Sequence, residues 1–284
     1  MNSSENMIHT HITASHNWLD LKLDEVWRYR DLIILFCRRS FTVSYKQTIL
    51  GPLWLFLNPF LTSLVYMILF GNIARLSTDG VPQILFYLSG TALWNLFSTC
   101  LTGNASTFTS NAGLFGKIYF PRLTVPIANM LTAILRFGIT MSMVLVILIF
   151  YCFTGAVSPR WICWLLIPFI LIWVGILGME CGIVISSLTT KYRDLSVLVT
   201  FGVSLWMYGT PVVYPLSQLS DGVLKAIIEI NPVSAPMELF RYAVLGKGTL
   251  VSWSIIFSII FTVVVGLFSV IIFNKVERSF IDTV

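Results

Sequence analysis

Apolar residues gather into six long stretches along the chain, and polar residues, prolines and glycines collect between them. A helix needs roughly 20 residues to cross a hydrocarbon layer of about 30 Å. The stretches therefore predict spans near Leu53–Ile73, Gln83–Thr102, Leu123–Phe153, Trp161–Leu188, Ser196–Tyr214 and Trp253–Phe273. The third and fourth are longer than a crossing requires, which implies tilt or extension beyond the bilayer. The fold class predicted is an all-α membrane protein with six transmembrane helices.

Three segments outside the spans carry patterns of their own. In Leu23–Ser40, residues Leu23, Val26, Trp27, Ile33, Ile34 and Cys37 recur near the helical period, with Asp24, Arg28, Asp31, Arg38 and Arg39 between them. This is the pattern of an amphipathic helix along the inner membrane surface, and it fits a plain anchor as well as a partner interface. Between the second and third spans, Gly103–Arg122 holds a short apolar and basic segment marked by Gly113, Gly116 and Pro121. A turn or two of helix over Leu114–Phe120 would offer Leu114, Phe115, Ile118, Tyr119 and Phe120 to a partner's groove. A loop whose rings dip into the headgroups fits equally well. The outer segment from Pro211 to Leu250 is too apolar for a solvated loop, and Pro211, Pro215, Pro232 and Pro236 break it too often for a span. Two short helices are predicted there, Val223–Ile230 and Ala235–Leu245, the second with Ser234 at its start and Gly246 at its end. They read as a re-entrant pair dipping back from the outer face, which is tolerated where protein or water satisfies their ends.

Composition sharpens the class. Hydrophobic residues make up 56% of the chain and charged residues 11%, against about 25% charged in soluble domains. A soluble core does not account for that imbalance. The 18 Lys and Arg outnumber the 13 Asp and Glu, and their placement reads as membrane orientation rather than as a nucleic-acid surface. With the N-terminus inside, twelve of these cations fall on inner segments; Arg75, Arg160, Lys225, Arg241 and Lys247 fall outside, and Arg136 lies within a span. Both termini are thus expected in the cytoplasm, on a multi-pass protein of the cytoplasmic (inner) membrane. Residues 1–22 are expected to form a flexible tail, 23–50 the amphipathic helix and its connector, and 51–284 one membrane domain. The five cysteines lack metal-ligand spacing and mostly sit in apolar stretches, although Cys152 and Cys163 flank a short loop that would let them pair.

No catalytic constellation appears. His9, His11 and His16 are confined to the tail, and neither G-x-x-x-x-G-K-[ST] nor G-x-G-x-x-G occurs. If ATP drives this protein, the nucleotide binds elsewhere, and no cofactor is expected in this chain. Two charges lie inside spans, Arg136 in the third and Glu180 in the fourth, both placed in the inner half of the bilayer. They form a candidate intramembrane pair, with a proton relay as the alternative reading. Rings are dense at the spans, as interfacial belts require. A subset facing a pore would suit sugars, whose C–H faces stack on aromatics. The candidate channel-lining residues are Asn58, Tyr66, Trp94, Trp206, Tyr208 and Tyr214.

Five strings carry a family resemblance. "EVWRYRDLIILFCRRSFTVSYKQTILGPLWLFLNPFL" (Glu25–Leu61) resembles the start of the permease subunits of type-2 ABC exporters for polysaccharides. "FGKIYFPRLTVPIANML" (Phe115–Leu131), "KYRDLSVLVTFGVSLWMYGTPVVYP" (Lys191–Pro215), "NPVSAPMELFRYAVLG" (Asn231–Gly246) and "VERSFIDTV" (Val276–Val284) resemble the same family in the same order. The resemblance implies a channel-forming subunit that moves a lipid-linked polysaccharide, of the O-antigen type found in lipopolysaccharide, across the membrane. Other cargoes of type-2 exporters (teichoic acid, capsule, a drug or a small lipid) are the nearest alternatives. A membrane-embedded sugar-lipid transferase is a more distant one. On this resemblance the N-terminal helix, with Trp27, Arg28, Tyr29, Arg30, Arg38 and Arg39, becomes an interface helix. Residues Leu114, Phe115, Lys117, Ile118, Tyr119, Phe120 and Arg122 become a coupling helix that enters a cleft on an ATPase. It further implies a homodimer of this chain, two copies of an ABC ATPase that binds ATP and Mg, and surrounding membrane lipids as partners. Ser44 and Asn58 depart from the Arg and Gln that the family pattern leads one to expect.

Overall fold

The computed structural model describes residues 23–281 except 44, 45, 47, 116, 118, 192 and 193, and describes the backbone alone at 190, 191 and 277–281. Regular structure among the described residues is all helical. In chain order the helices are α1 (Leu23–Arg28), α2 (Arg30–Val43), α3 (Trp54–Tyr66), α4 (Gln83–Ala105), α5 (Thr107–Ser110), α6 (Ala112–Phe115), α7 (Thr124–Phe153), α8 (Ile167–Lys191), α9 (Leu195–Tyr208), α10 (Val223–Ile230), α11 (Ser234–Leu245) and α12 (Ser252–Ile281). A 3₁₀ turn at Gly51–Leu53 leads into α3, a wider π turn at Met67–Ile73 continues it, and a 3₁₀ turn at Trp161–Leu166 leads into α8.

Five of these units are long and apolar enough to cross a membrane: Gly51–Ile73, Gln83–Ala105, Thr124–Phe153, Trp161–Thr189 and Ser252–Val276. The sixth expected span is different. Helix α9 has 14 residues, about 21 Å at 1.5 Å per residue, which is short of the ~30 Å hydrocarbon layer. The hydropathy pattern ran on to Tyr214, but the helix stops at Gly209 because Pro211 has no N–H to continue the ladder. The predicted short pair is present as α10 and α11, and Gly246 takes the left-handed conformation (φ +69°) that closes a helix end.

Helix α4 is the axis of the bundle and packs against α3, α7, α8, α9 and α11. Its Leu85, Phe86, Tyr87, Leu88, Leu93, Leu96, Phe97, Cys100 and Leu101 are all buried. Lipid tails are as apolar as leucine, so burial alone does not drive such packing; close backbone approach and interhelical bonds must. Both are visible. A Cβ on Gly178 of α8 would lie 2.8 Å from Phe97 O, and one on Gly182 would lie 2.5 Å from Leu101 O. Glycines four apart thus let α8 lie backbone-to-backbone on α4. Ser63 of α3 and Thr91 of α4 share a hydrogen bond of 3.1 Å beside Pro59. Asn129 of α7 donates to Gly103 O and Asn104 Oδ1, each at 3.2 Å. Trp173 of α8 donates to Thr262 of α12 at 3.0 Å.

Candidate functional site

One end of the bundle carries α1, α2, α5 and α6 and is called here the basic end; α10 and α11 mark the opposite end. At the basic end an aromatic cluster joins segments far apart in sequence. Phe36 of α2 meets Phe120 at 5.8 Å between ring centroids, Phe120 meets Phe115 at 5.6 Å, and Phe108 meets Phe273 of α12 at 5.4 Å. Tyr29 and Leu32 pack on the same cluster, and the Arg122 guanidinium lies 5.5 Å from the Phe115 ring centroid.

This corrects the picture of the loop before α7. Its helical turn is Ala112–Phe115 rather than Leu114–Phe120. Phe115, Phe120 and Arg122 are buried in the chain's own core, so they are not available to a partner's groove. Lys117 and Tyr119 are the exposed members, Leu114 is half-buried, and Ile118 lies outside the described residues. On the N-terminal segment, Trp27, Arg28, Arg30, Arg38 and Arg39 face outward while Val26 and Cys37 face in and Tyr29 is half-buried. Of the predicted apolar face, Val26 and Cys37 are buried and Ile33 is half-buried, whereas Leu23, Trp27 and Ile34 are exposed, so α2 packs on α7 with only part of that face. Arg30 lies 6.0 Å from the Trp27 ring centroid.

Above the cluster, between the ends of α4 and α8 and the start of α9, is a cavity of about 520 Å³. Among the described residues its wall is mostly hydroxyls, Thr102, Ser106, Thr109, Ser110, Thr189, Ser196 and Thr200, with Ala105 and Val199 among them. Thr189 also ties the two helices together by donating to Ala105 O at 2.7 Å. None of these residues is among the channel-lining candidates read from the sequence.

The two intramembrane charges occupy different faces. Arg136 lines a smaller cavity of about 170 Å³ with Trp54, Asn58, Asn95, Thr99 and Thr140, between α3, α4 and α7. Glu180 instead lies against α12, where a Cβ on Gly266 would fall 2.5 Å from its Oε1. Among the candidate channel residues, Asn58 shares the Arg136 cavity, and Tyr66 donates to Met207 Sδ at 3.5 Å. Trp94 is buried in the bundle beside Phe97 and so faces no channel within this protomer. Tyr208 is exposed; Trp206 is half-buried and donates to Asn231 Oδ1 at 3.1 Å.

At the opposite end two residues that the sequence placed in an outer segment form a buried ion pair. Arg241 Nη1 bonds Glu238 Oε1 at 3.2 Å, and its Nη2 donates to Val212 O at 2.6 Å. Arg241 also reaches Tyr214 O at 3.4 Å and stacks 4.0 Å from the Phe86 ring centroid. Glu238 Oε2 accepts from Thr249 N at 2.8 Å. Asn231 adds a second tie, donating to Gly209 O and Thr210 Oγ1, each at 2.8 Å. The end of α9 is therefore fastened to α11 by side chains. Cys152 and Cys163 are free thiols.

Comparison with known proteins follows the same path. The family model described as ABC-2 type transporter matches residues 31–245. An O-antigen export system permease protein, RfbA, of Myxococcus xanthus is 29% identical over 220 residues, 76% of this chain and 81% of that protein. Two proteins of the same name from Klebsiella pneumoniae are each 28% identical, over 253 and 256 residues, covering 89% of this chain and 94% of theirs.

Proposed function

The chain belongs to the ABC-2 type transporter family, and from that premise we propose that it is the membrane subunit of an ATP-driven exporter of lipid-linked polysaccharide, of the O-antigen type. The observation that carries this reading is the near full-length likeness to three O-antigen export permeases. The basic end is then the cytoplasmic one, in accord with the positive-inside rule, and both termini lie there. Two copies of the chain enclose the path, and α9 with the segment 209–215 makes the sixth crossing.

An ABC ATPase, present in two copies, supplies the work. Its docking surface is the outward row Trp27, Arg28, Arg30, Arg38 and Arg39 together with Lys117 and Tyr119. The buried rings Phe115 and Phe120 have a different part: they join that surface to α2 and α12, so a push on Tyr119 reaches the spans as a rigid body. A motor can shift the channel only by the difference in its interaction with the two channel states. A rigid aromatic cluster keeps that difference from being absorbed locally.

The test is co-expression with an ABC ATPase from the same genome. Co-purification in lipid, ATP turnover by the complex, and loss of surface glycan when the chain is deleted are the expected results. Normal glycan display in the deletion strain would overturn the reading.

A further inference from the structure

We propose that the hydroxyl-walled cavity between α4, α8 and α9 binds the neutral sugar residues of the cargo and rejects its phosphate groups. The inference rests on the exporter reading for the source of the sugar, and on hydrogen-bond accounting for the chemistry. A Ser or Thr hydroxyl has one proton to donate and two lone pairs to accept with. In this wall the four threonine protons are already committed. Thr102 donates to Ser98 O at 2.7 Å, Thr109 to Ser106 O at 3.1 Å, Thr189 to Ala105 O at 2.7 Å and Thr200 to Ser196 O at 3.1 Å. What these oxygens present to the cavity is acceptor capacity.

That polarity selects the ligand. A phosphate or pyrophosphate is acceptor-only and would need N–H or O–H donors or a cation, and no Lys or Arg is among the described lining residues. No Asp or Glu is among the described lining residues either, so these groups supply no charge to hold a cation. A sugar ring carries several hydroxyl donors, each of which finds an acceptor here, while Ala105 and Val199 offer apolar surface to its C–H face. The volume of about 520 Å³ lies within the range of about 300–1,000 Å³ usual for small-ligand sites.

The same chemistry continues beyond the cavity. On α9 the exposed residues Ser196, Thr200, Ser204 and Tyr208 recur every fourth position, and Ser204 Oγ donates to Thr200 O at 2.9 Å. Here too the donor is spent within the helix and the lone pairs face out. The stripe runs from the cavity toward the opposite end, so a sugar leaving the cavity meets the same acceptors along α9.

Saturation-transfer NMR on the full chain in lipid nanodiscs, with maltoheptaose as the neutral probe, tests this. Saturation should reach the sugar protons, survive a hundredfold excess of inorganic pyrophosphate, and fall at least fivefold in the Thr102→Val/Thr200→Val variant. The Thr102→Ser/Thr200→Ser variant, which keeps both oxygens, should retain it. Ser110→Ala, at the exposed rim, should halve it with no risk to folding. No transfer to the wild type, equal transfer to the valine variant, or displacement by pyrophosphate or sodium would each overturn the proposal. In cells the two readings separate. Normal glycan display by the valine variant, in a background where deletion abolishes display, refutes the cavity and leaves the exporter standing; display that survives deletion refutes the exporter itself.

Discussion

Glu238 and Arg241 sit one turn apart on α11 and meet at 3.2 Å with both side chains buried. The pair also supports the break that follows α9, because Arg241 bonds both Val212 O and Tyr214 O. Removing one partner of a buried pair costs about 3–5 kcal/mol. Arg241→Met should lie at the upper end of that range, since it strands two carbonyls as well as the carboxylate. Glu238→Gln should cost less, because the amide oxygen still accepts from Thr249 N. Thermal unfolding of the detergent-solubilised chain ranks the two, and equal losses would contradict the role assigned to the carbonyls.

Gly182 predicts a second, steric effect. Its Cβ position is 2.5 Å from Leu101 O, so Gly182→Val must push α8 away from α4 and cost about 1–3 kcal/mol or more. Gly138 on α7 has nothing within 4 Å of its Cβ position. Gly138→Ala should therefore be neutral or gain up to about 1 kcal/mol from helix propensity. Size-exclusion profiles after a heating series would show the contrast directly.

Phe115 and Tyr119 are four residues apart and should behave in opposite ways. Phe115 is buried among Phe108, Phe120 and Arg122, and truncation to alanine should cost about 3–5 kcal/mol. Tyr119 is 71% exposed, so Tyr119→Ala should leave the melting temperature unchanged. If the exposed ring docks on the ATPase, that variant will still assemble yet lose most of the export per ATP hydrolysed. Unchanged export at unchanged ATP turnover would remove Tyr119 from the coupling surface.

Glu180 and Gly266 give a coupled prediction. A methyl on Gly266 would lie 2.5 Å from Glu180 Oε1, the end of a flexible side chain that can turn aside, so Gly266→Ala alone should destabilise slightly. In a Glu180→Ala background the same change should be nearly neutral. A double-mutant cycle measures the difference, with an expected coupling of about 0.5–3 kcal/mol; additive losses would mean that α8 and α12 meet elsewhere.

Much of this architecture was legible in the apolar pattern. All five long spans begin within two residues of the predicted positions, and both short helices at 223–245 are where the prolines and Gly246 put them. Local signals suffice there because helix ends are set by neighbours in sequence. What escaped was non-local. The rings of the 114–120 segment looked available because nothing in their own sequence shows that α1 and α2 fold back over them. Arg241 counts in the charge pattern only as one cation of an outer segment, although a Glu three residues before an Arg in an apolar helix was a signal of a buried pair. Gly178 and Gly182, four apart, were a signal of close helix contact that hydropathy does not weigh. The hydroxyl cavity draws on four segments, so its parts were visible and its assembly was not.

The break after α9 has a consequence for how the protein is made. Val212 lies 29 residues before the Arg241 that bonds its carbonyl. With α9 and this segment as the proposed sixth crossing, an unpaired carbonyl there is costly, so the stretch from Gly209 to Pro215 has no settled place when it leaves the ribosome. It acquires one only after α11 has been synthesised and folded back. The last third of the chain must therefore insert as one unit, and a truncation between the two residues should yield a product that the membrane's quality-control proteases remove.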